Sequence, residues 1–327
     1  MSQRESHPGG RRQPRGRALG FALALATVIG TCANASGALA AEVLAKASQQ
    51  DFASAEEAVD ALIAAVRGED QAGLLRVLGP SGEKLIHSGD KVADKEGRER
   101  LIHAYDQAHR ITVEPPGAAT LVVGAEDWSL PIPLVKQGDR WRFDTVASAQ
   151  KIIDRRVGRN ELNVIEVCRA YVEAQREYAS RERRGEGRKE YAQHFQSHAG
   201  EHDGLYWEAA ASEEQSPFGP LVVKAQAEGY DADDKGFHPA PYHGYFYRIL
   251  KRQGPHAPGG AKEYVVDGHM TGGFALIAFP ARWGDSGIMT FIVSQDGIVF
   301  QKNLGPDTKP LAREITEYDP DPSWTAP

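Results

Sequence analysis

The chain has 327 residues, 41% of them apolar, and a formal charge of −7. That is ample material for a buried core, and too acidic a balance for general nucleic-acid or anionic-membrane binding, both of which rest on clustered Lys and Arg. Only Cys32 and Cys168 are present, which excludes a disulfide framework as the source of stability.

In chain order the first element is a leader. Arg4, Arg11, Arg12, Arg15 and Arg17, opposed by Glu5 alone, precede the apolar run from Ala18 to Ile29, and Ala38-Leu39-Ala40 offers small side chains where a signal peptidase reads them. This order predicts a secretory signal over residues 1–40, with cleavage between Ala40 and Ala41. The apolar run is short against the roughly 20 residues that span a bilayer. Arg11-Arg12 as a twin-arginine signal and Cys32 as a lipidated cysteine fit less well, since Pro14 follows the pair and the bulky Thr31 precedes the thiol. Losing five arginines and one glutamate moves the charge from −7 to −11. The expectation is an exported protein, periplasmic or extracellular, without a later membrane span and with Cys168 as its only thiol.

Residues 41–146 read as one α+β unit. Ser54-Ala55-Glu56-Glu57 is a capping box, and Ala58, Val59, Leu62, Ile63 and Val66 continue it as an apolar stripe that Gly68 ends. Asp70 caps a second helix carrying Leu74, Leu75 and Leu78, stopped by Gly79-Pro80. Strands are predicted over Thr120–Gly124, Trp128–Lys136 and Arg140–Thr145, the last two joined by a tight turn at Gly138-Asp139.

Residues 147–318 read as a helix followed by an antiparallel sheet. The helix, over 147–180, is expected to break at Gly158 and restart at Asn160, with Leu162, Ile165, Cys168, Val172 and Gln175 on its apolar side. Strands follow at Tyr242–Leu250, Lys262–Val266, Gly273–Ala278, Ile288–Ser294 and Ile298–Lys302, with Asp296-Gly297 joining the last pair. Residues 319–327 read as an extended tail.

Helices followed by a twisted sheet that ends in Asp139-Arg140-Trp141-Arg142-Phe143 resemble the NTF2-like or cystatin-like fold. The second half resembles the globular part of type IV pilins and pseudopilins, through Ala174-Gln175-Arg176-Glu177-Tyr178 and the hairpin Phe291–Gly297. Longer stretches are similar to domain of unknown function 2950: Arg155–Asn163 running into Cys168–Gln175, Asp203–Trp207, Pro241–Tyr245, Gly268-His269-Met270, and Asp296-Gly297 to Leu304–Asp307. That resemblance covers nearly all of the chain after the leader and implies an exported protein with no established activity.

Three residue groups are candidate sites. His194, His198 and His202 recur every four residues, the spacing at which a helix aligns imidazoles for zinc, although Gly200 interrupts that helix. Lys151, Arg155, Arg156 and Arg159 make a basic stripe suited to an acidic partner. Tyr206, Trp207, Tyr242, His243, Tyr245 and His269 would form an aromatic and imidazole patch for a sugar, peptide or glycan if their strands are neighbours. The loop Arg181–Glu190 is too cationic for calcium. No Gly-x-Ser-x-Gly elbow or phosphate-binding loop occurs, and Cys168 lies on an apolar face that makes it an inert thiol. The reading is a non-catalytic envelope protein that binds a protein or polymer partner and needs no cofactor. Its alternatives are a zinc hydrolase using His194 and His198, and a small-molecule binder using the cone of the first unit.

Overall fold

A computed structural model describes residues 48–183, 187–230 and 240–327. The expected leader of residues 1–40 and the centre of the charged loop, 184–186, lie outside the described residues. Helix α1 (Ala55–Arg67) starts as its capping box dictates: the Ser54 hydroxyl accepts from Glu57 N at 3.1 Å, and Glu57 reaches back to Ala53 N at 3.0 Å. Asp70 caps α2 (Gln71–Leu78) by accepting from Gly73 N at 2.8 Å. A 3₁₀ turn, Pro80–Gly82, and the short α3 (Glu83–Ile86) lead to α4 (Lys91–Gln107). Helix α4 has no fully buried residue, so it lacks the apolar stripe by which a helix is read from sequence.

The strands β1 (His109–Glu114), β2 (Ala118–Val123), β3 (Trp128–Ser129), β4 (Leu134–Gln137) and β5 (Arg140–Phe143) follow. They form an antiparallel sheet ordered β1-β2-β4-β5, with β3 also pairing β2. The single strand expected over Trp128–Lys136 is therefore two, because Pro131 and Pro133 have no amide to donate to a ladder. Ala119, Leu121, Val123, Leu134 and Phe143 face α1 and α2 and make the first core with Leu62, Val66 and Leu74.

Helix α5 (Thr145–Ala179) runs unbroken for 35 residues, about 52 Å at 1.5 Å per residue. The expected break at Gly158 does not occur. On both sides of that glycine the helix is tied to the 282–289 loop: Arg156 Nε donates to Asp285 O at 2.9 Å, and Asn160 Nδ2 donates to Ser286 O at 2.9 Å. Glu161 Oε1 accepts from Ile288 N and Met289 N, both at 2.9 Å. Several such bonds exceed the ~1 kcal/mol by which an interior glycine weakens a helix.

The C-terminal half of α5 lies on the second core. Val164, Cys168, Tyr171, Val172, Gln175 and Tyr178 are buried, whereas Leu162, expected on the apolar side, is 66% exposed. The face buried in the second core begins two residues later, at Val164. That sheet is β15-β14-β13-β8, all antiparallel, built from β8 (Tyr245–Leu250), β13 (Ala275–Pro280), β14 (Met289–Ser294) and β15 (Val299–Asn303). Between Ser294 and Val299 the chain turns at Gly297, whose φ is +78° and whose amide donates to Ser294 O.

Smaller pairs are β6 (His194–Gln196) with β7 (Gly204–Tyr206), β9 (Arg252–Gln253) with β10 (Lys262–Glu263), and β11 (Val265–Val266) with β12 (His269–Met270). The strand expected over Lys262–Val266 is divided at Tyr264. Its amide donates to Lys251 O and its hydroxyl donates to Gln253 Oε1, so the residue leaves the ladder and enters the core. Helices α6 (Gly219–Ala227) and α7 (Thr308–Glu314) complete the chain. The last residues are extended and anchored: Thr325 pairs with Gln301, and the buried Trp324 lies 5.7 Å from Lys302 Nζ. The described residues belong to one compact unit. Among the described residues no helix is long and apolar enough to cross a membrane.

Candidate functional site

A cleft of about 750 Å³ opens over the first core. Its floor comes from α1 and α2, where Leu62, Val66, Leu74 and Leu78 are all at least 95% buried. Leu130 and Ile132, in the proline-broken segment between β3 and β4, add a wall. The opposite side is polar and comes from elsewhere in the chain: Asp94, Glu96 and Arg98 from α4, Arg155, Arg156 and Arg159 from α5, and Tyr230 and His243 from beyond.

The turn carrying His243 is set by backbone geometry. His243 and Gly244 both take left-handed φ, +51° and +77°, and Tyr242 and Tyr245 exchange backbone bonds of 2.9 and 3.1 Å across them. Two left-handed residues between paired neighbours are what a tight hairpin turn of type I′ requires. Position 244 must be glycine for a second reason, since a Cβ there would lie 2.7 Å from Asn160 Nδ2 and 2.9 Å from Ser286 Cβ.

Asp90 holds this turn to the first part of the chain. Its Oδ1 caps α4 by accepting from Val92 N and Ala93 N, both at 3.1 Å. Its Oδ2 accepts from Tyr230 Oη at 2.7 Å and Gly244 N at 2.9 Å. The carboxylate is 1% exposed, and these four bonds are what makes a buried charge tolerable there.

His243 Nε2 lies 3.3 Å from Glu228 Oε2, and its ring sits 4.0 Å from Tyr242 and 5.9 Å from Tyr230. Burial holds the imidazole below its ordinary pKa against the opposing pull of Glu228. Burial, reinforced by Asp90, pushes the Tyr230 phenol up. Asp94 is likewise raised by burial, although Ser88 N donates to both of its oxygens. Burial lowers the Arg156 guanidinium, whose nitrogens are engaged by Asp285 O and, at 2.6 Å, by Lys84 O.

The structure brings some predicted site residues together and separates others. Arg155, Arg156 and Arg159 share the cleft with His243, whereas Lys151 is exposed on α5 and does not line it. Tyr242 belongs to the His243 cluster. Tyr245 points into the second core, where it is fully buried beneath Gly287 and donates to Met289 O at 3.0 Å. Trp207 donates from Nε1 to Glu214 O at 2.9 Å, Tyr206 is half-buried against the second core, and His269 Nδ1 lies 3.1 Å from Glu190 Oε2.

The three spaced histidines do not share a helical face, because His194 is in strand β6 and Gly200 takes a φ of +79°. His194 and His198 rings meet edge-on at 5.3 Å, His198 Nδ1 lies 2.5 Å from Asp203 Oδ2, and His202 stacks on Trp207 at 4.2 Å. Among the described residues no three His, Cys, Asp or Glu side chains are grouped to hold a metal.

Sequence reasoning missed Asp90, Glu228 and Tyr230. Ser88-Gly89-Asp90 ahead of Val92-Ala93 carries an N-cap signal. Nothing local marks the partnership of Asp90 with Tyr230, 140 residues away. A family model described as "Protein of unknown function (DUF2950)" matches residues 49–326. No curated protein and no solved structure matches the chain.

Proposed function

We propose that this chain, which belongs to the DUF2950 family, is a non-catalytic binding module that takes a small organic ligand in its cleft and works outside the cytoplasm. The observation that carries the binding reading is the cleft itself. Its volume of about 750 Å³ falls within the roughly 300–1,000 Å³ of small-molecule sites, and its apolar floor with a few convergent polar groups is the usual composition of such sites.

Gly97 supplies the test. It lines the cleft from α4, and a Cβ placed there meets no atom within 4 Å, so Gly97→Phe sets a bulky ring at the cleft without disturbing the core. The wild-type protein is expected to bind anilinonaphthalene sulfonate saturably at one site, and Gly97→Phe to lose that binding while keeping its far-ultraviolet circular dichroism. Equal dye binding by both proteins would remove the cleft from consideration.

Export is supported by the basic, apolar and small-residue order of residues 1–40. N-terminal sequencing of protein from the envelope fraction is expected to begin at Ala41. Retention of Met1 there would refute it.

A further inference from the structure

The chemistry of the cleft goes further than its volume. We propose that its ligand is a single-chain amphiphile with an oxyanion head, its hydrocarbon lying along the half-buried Leu85, Ile86, Leu101 and Ile152 and its head against Arg155 and Arg159. This rests on the cleft being the ligand site.

The two sides of the cavity differ in kind. The floor side chains Leu62, Val66, Leu74 and Leu78 are already buried, and the apolar lining that still reaches solvent is Leu85, Ile86, Leu101, Ile152 and Trp128, so the part of a ligand placed against these gains by being apolar. The facing stretch of α5 carries Arg155 and Arg159 one helical turn apart, both exposed and neither holding a hydrogen bond or ion pair among the described residues. The third arginine of that stretch, Arg156, is engaged by two backbone carbonyls.

The acidic groups at the cleft are already engaged. Asp94 accepts from Ser88 N, Glu96 pairs with Arg100, and Glu228 faces His243. Among the described residues, five arginines against three carboxylates line this cavity, in a chain whose net charge is −7. The local excess is therefore positive, and its free members are guanidinium groups, whose paired donors match the two oxygens of a carboxylate or a phosphate. A cationic head would meet repulsion, and an uncharged head would leave the arginines in water.

The test measures binding of four probes with the same twelve-carbon chain to the full chain below their micelle concentrations: dodecanoate, dodecyl phosphate, dodecanol and dodecyltrimethylammonium. Displacement of the bound dye gives the affinities. At least one of the two oxyanions is expected to bind about 10-fold more tightly than dodecanol, corresponding to ~1.4 kcal/mol. Arg155→Ala/Arg159→Ala, at exposed positions on a helix that tolerate alanine, is expected to bring the oxyanions level with dodecanol, and 0.5 M salt to do the same in the wild type. The ratio of dodecanoate to dodecyl phosphate tells a fatty-acid source from a phosphate-ester source. Dodecanol equal to the oxyanions, or the ammonium probe binding best, overturns the oxyanion assignment and leaves the cleft standing. Binding of any probe that Gly97→Phe does not weaken, or no binding at all, overturns the cleft reading itself. A dimer that dodecanoate dissociates, seen by light scattering, would mean that a second copy is the occupant and overturns the small-ligand class.

Discussion

Replacing Asp90 with alanine removes the joint between α4 and the His243 turn, and the structure allows its cost to be worked out. Losing an N-cap oxygen costs about 1 kcal/mol. Gly244 N is buried, and without Oδ2 its donor has no partner, for which ~1–3 kcal/mol is typical. Tyr230 Oη is only half-buried and turns toward water more easily, so its share is about 1 kcal/mol. Asp90→Ala is therefore expected to destabilise the protein by about 3–5 kcal/mol. Asp90→Asn keeps an oxygen for the helix cap but sets an amide against Gly244 N–H and is expected to cost about 2 kcal/mol.

Equilibrium urea unfolding followed by tryptophan fluorescence measures both. The double variant Asp90→Ala/Tyr230→Phe checks the partition, because its loss should fall about 1 kcal/mol short of the sum of the single losses. A loss below about 1 kcal/mol for Asp90→Ala would refute the reasoning, since the carboxylate would then be dispensable to the cap and to both long-range donors.

Other consequences are as direct. Gly158 is exposed in mid-helix with no atom within 4 Å of a Cβ built on it, so Gly158→Ala is expected to raise stability by about 0.5–1 kcal/mol in the same assay. A loss would mean that the helix needs glycine there. His243 has a folded pKa below its ordinary value, so the fold favours the neutral ring. Its contribution is complete above about pH 6.5 and is lost as the pH falls from there through the folded pKa. Glu228 and Asp90 pull the pKa up, Lys224 and Arg159 pull it down together with burial, and burial is the largest influence. The fall in stability between pH 7.5 and 5.5 should accordingly be smaller in His243→Asn, which tolerates left-handed φ, than in the wild type. An equal fall would show that His243 is not the group responsible. Cys168 is fully buried and burial pushes its thiol up to about 12. Disulfide reagents should leave Cys168 untouched in the native protein and label it in urea, as mass spectrometry of its peptide reads; rapid native labelling at that position would contradict its burial.

Local chemistry alone determined the elements whose signals are short in sequence. The capping box at Ser54 and Glu57, the Asp70 cap and the turn at Gly297 lie within a few residues of what they control, so their geometry was legible before any fold was known. Membership of the family that matches residues 49–326 was legible too, from longer stretches of sequence.

Only tertiary structure decided the rest. Gly158 stays helical because bonds from residues 126 to 129 positions away hold the helix on either side of it. Helix α4 has no buried stripe to announce it, and its start depends on Asp90, which also answers to Tyr230 and Gly244. The basic stripe on α5 reads from sequence as a surface for acidic partners. Its three arginines, though not Lys151, became part of a cleft because α1 and α2, about 90 residues earlier, place leucines beneath them, and no local pattern encodes which distant apolar face a row of charges will meet.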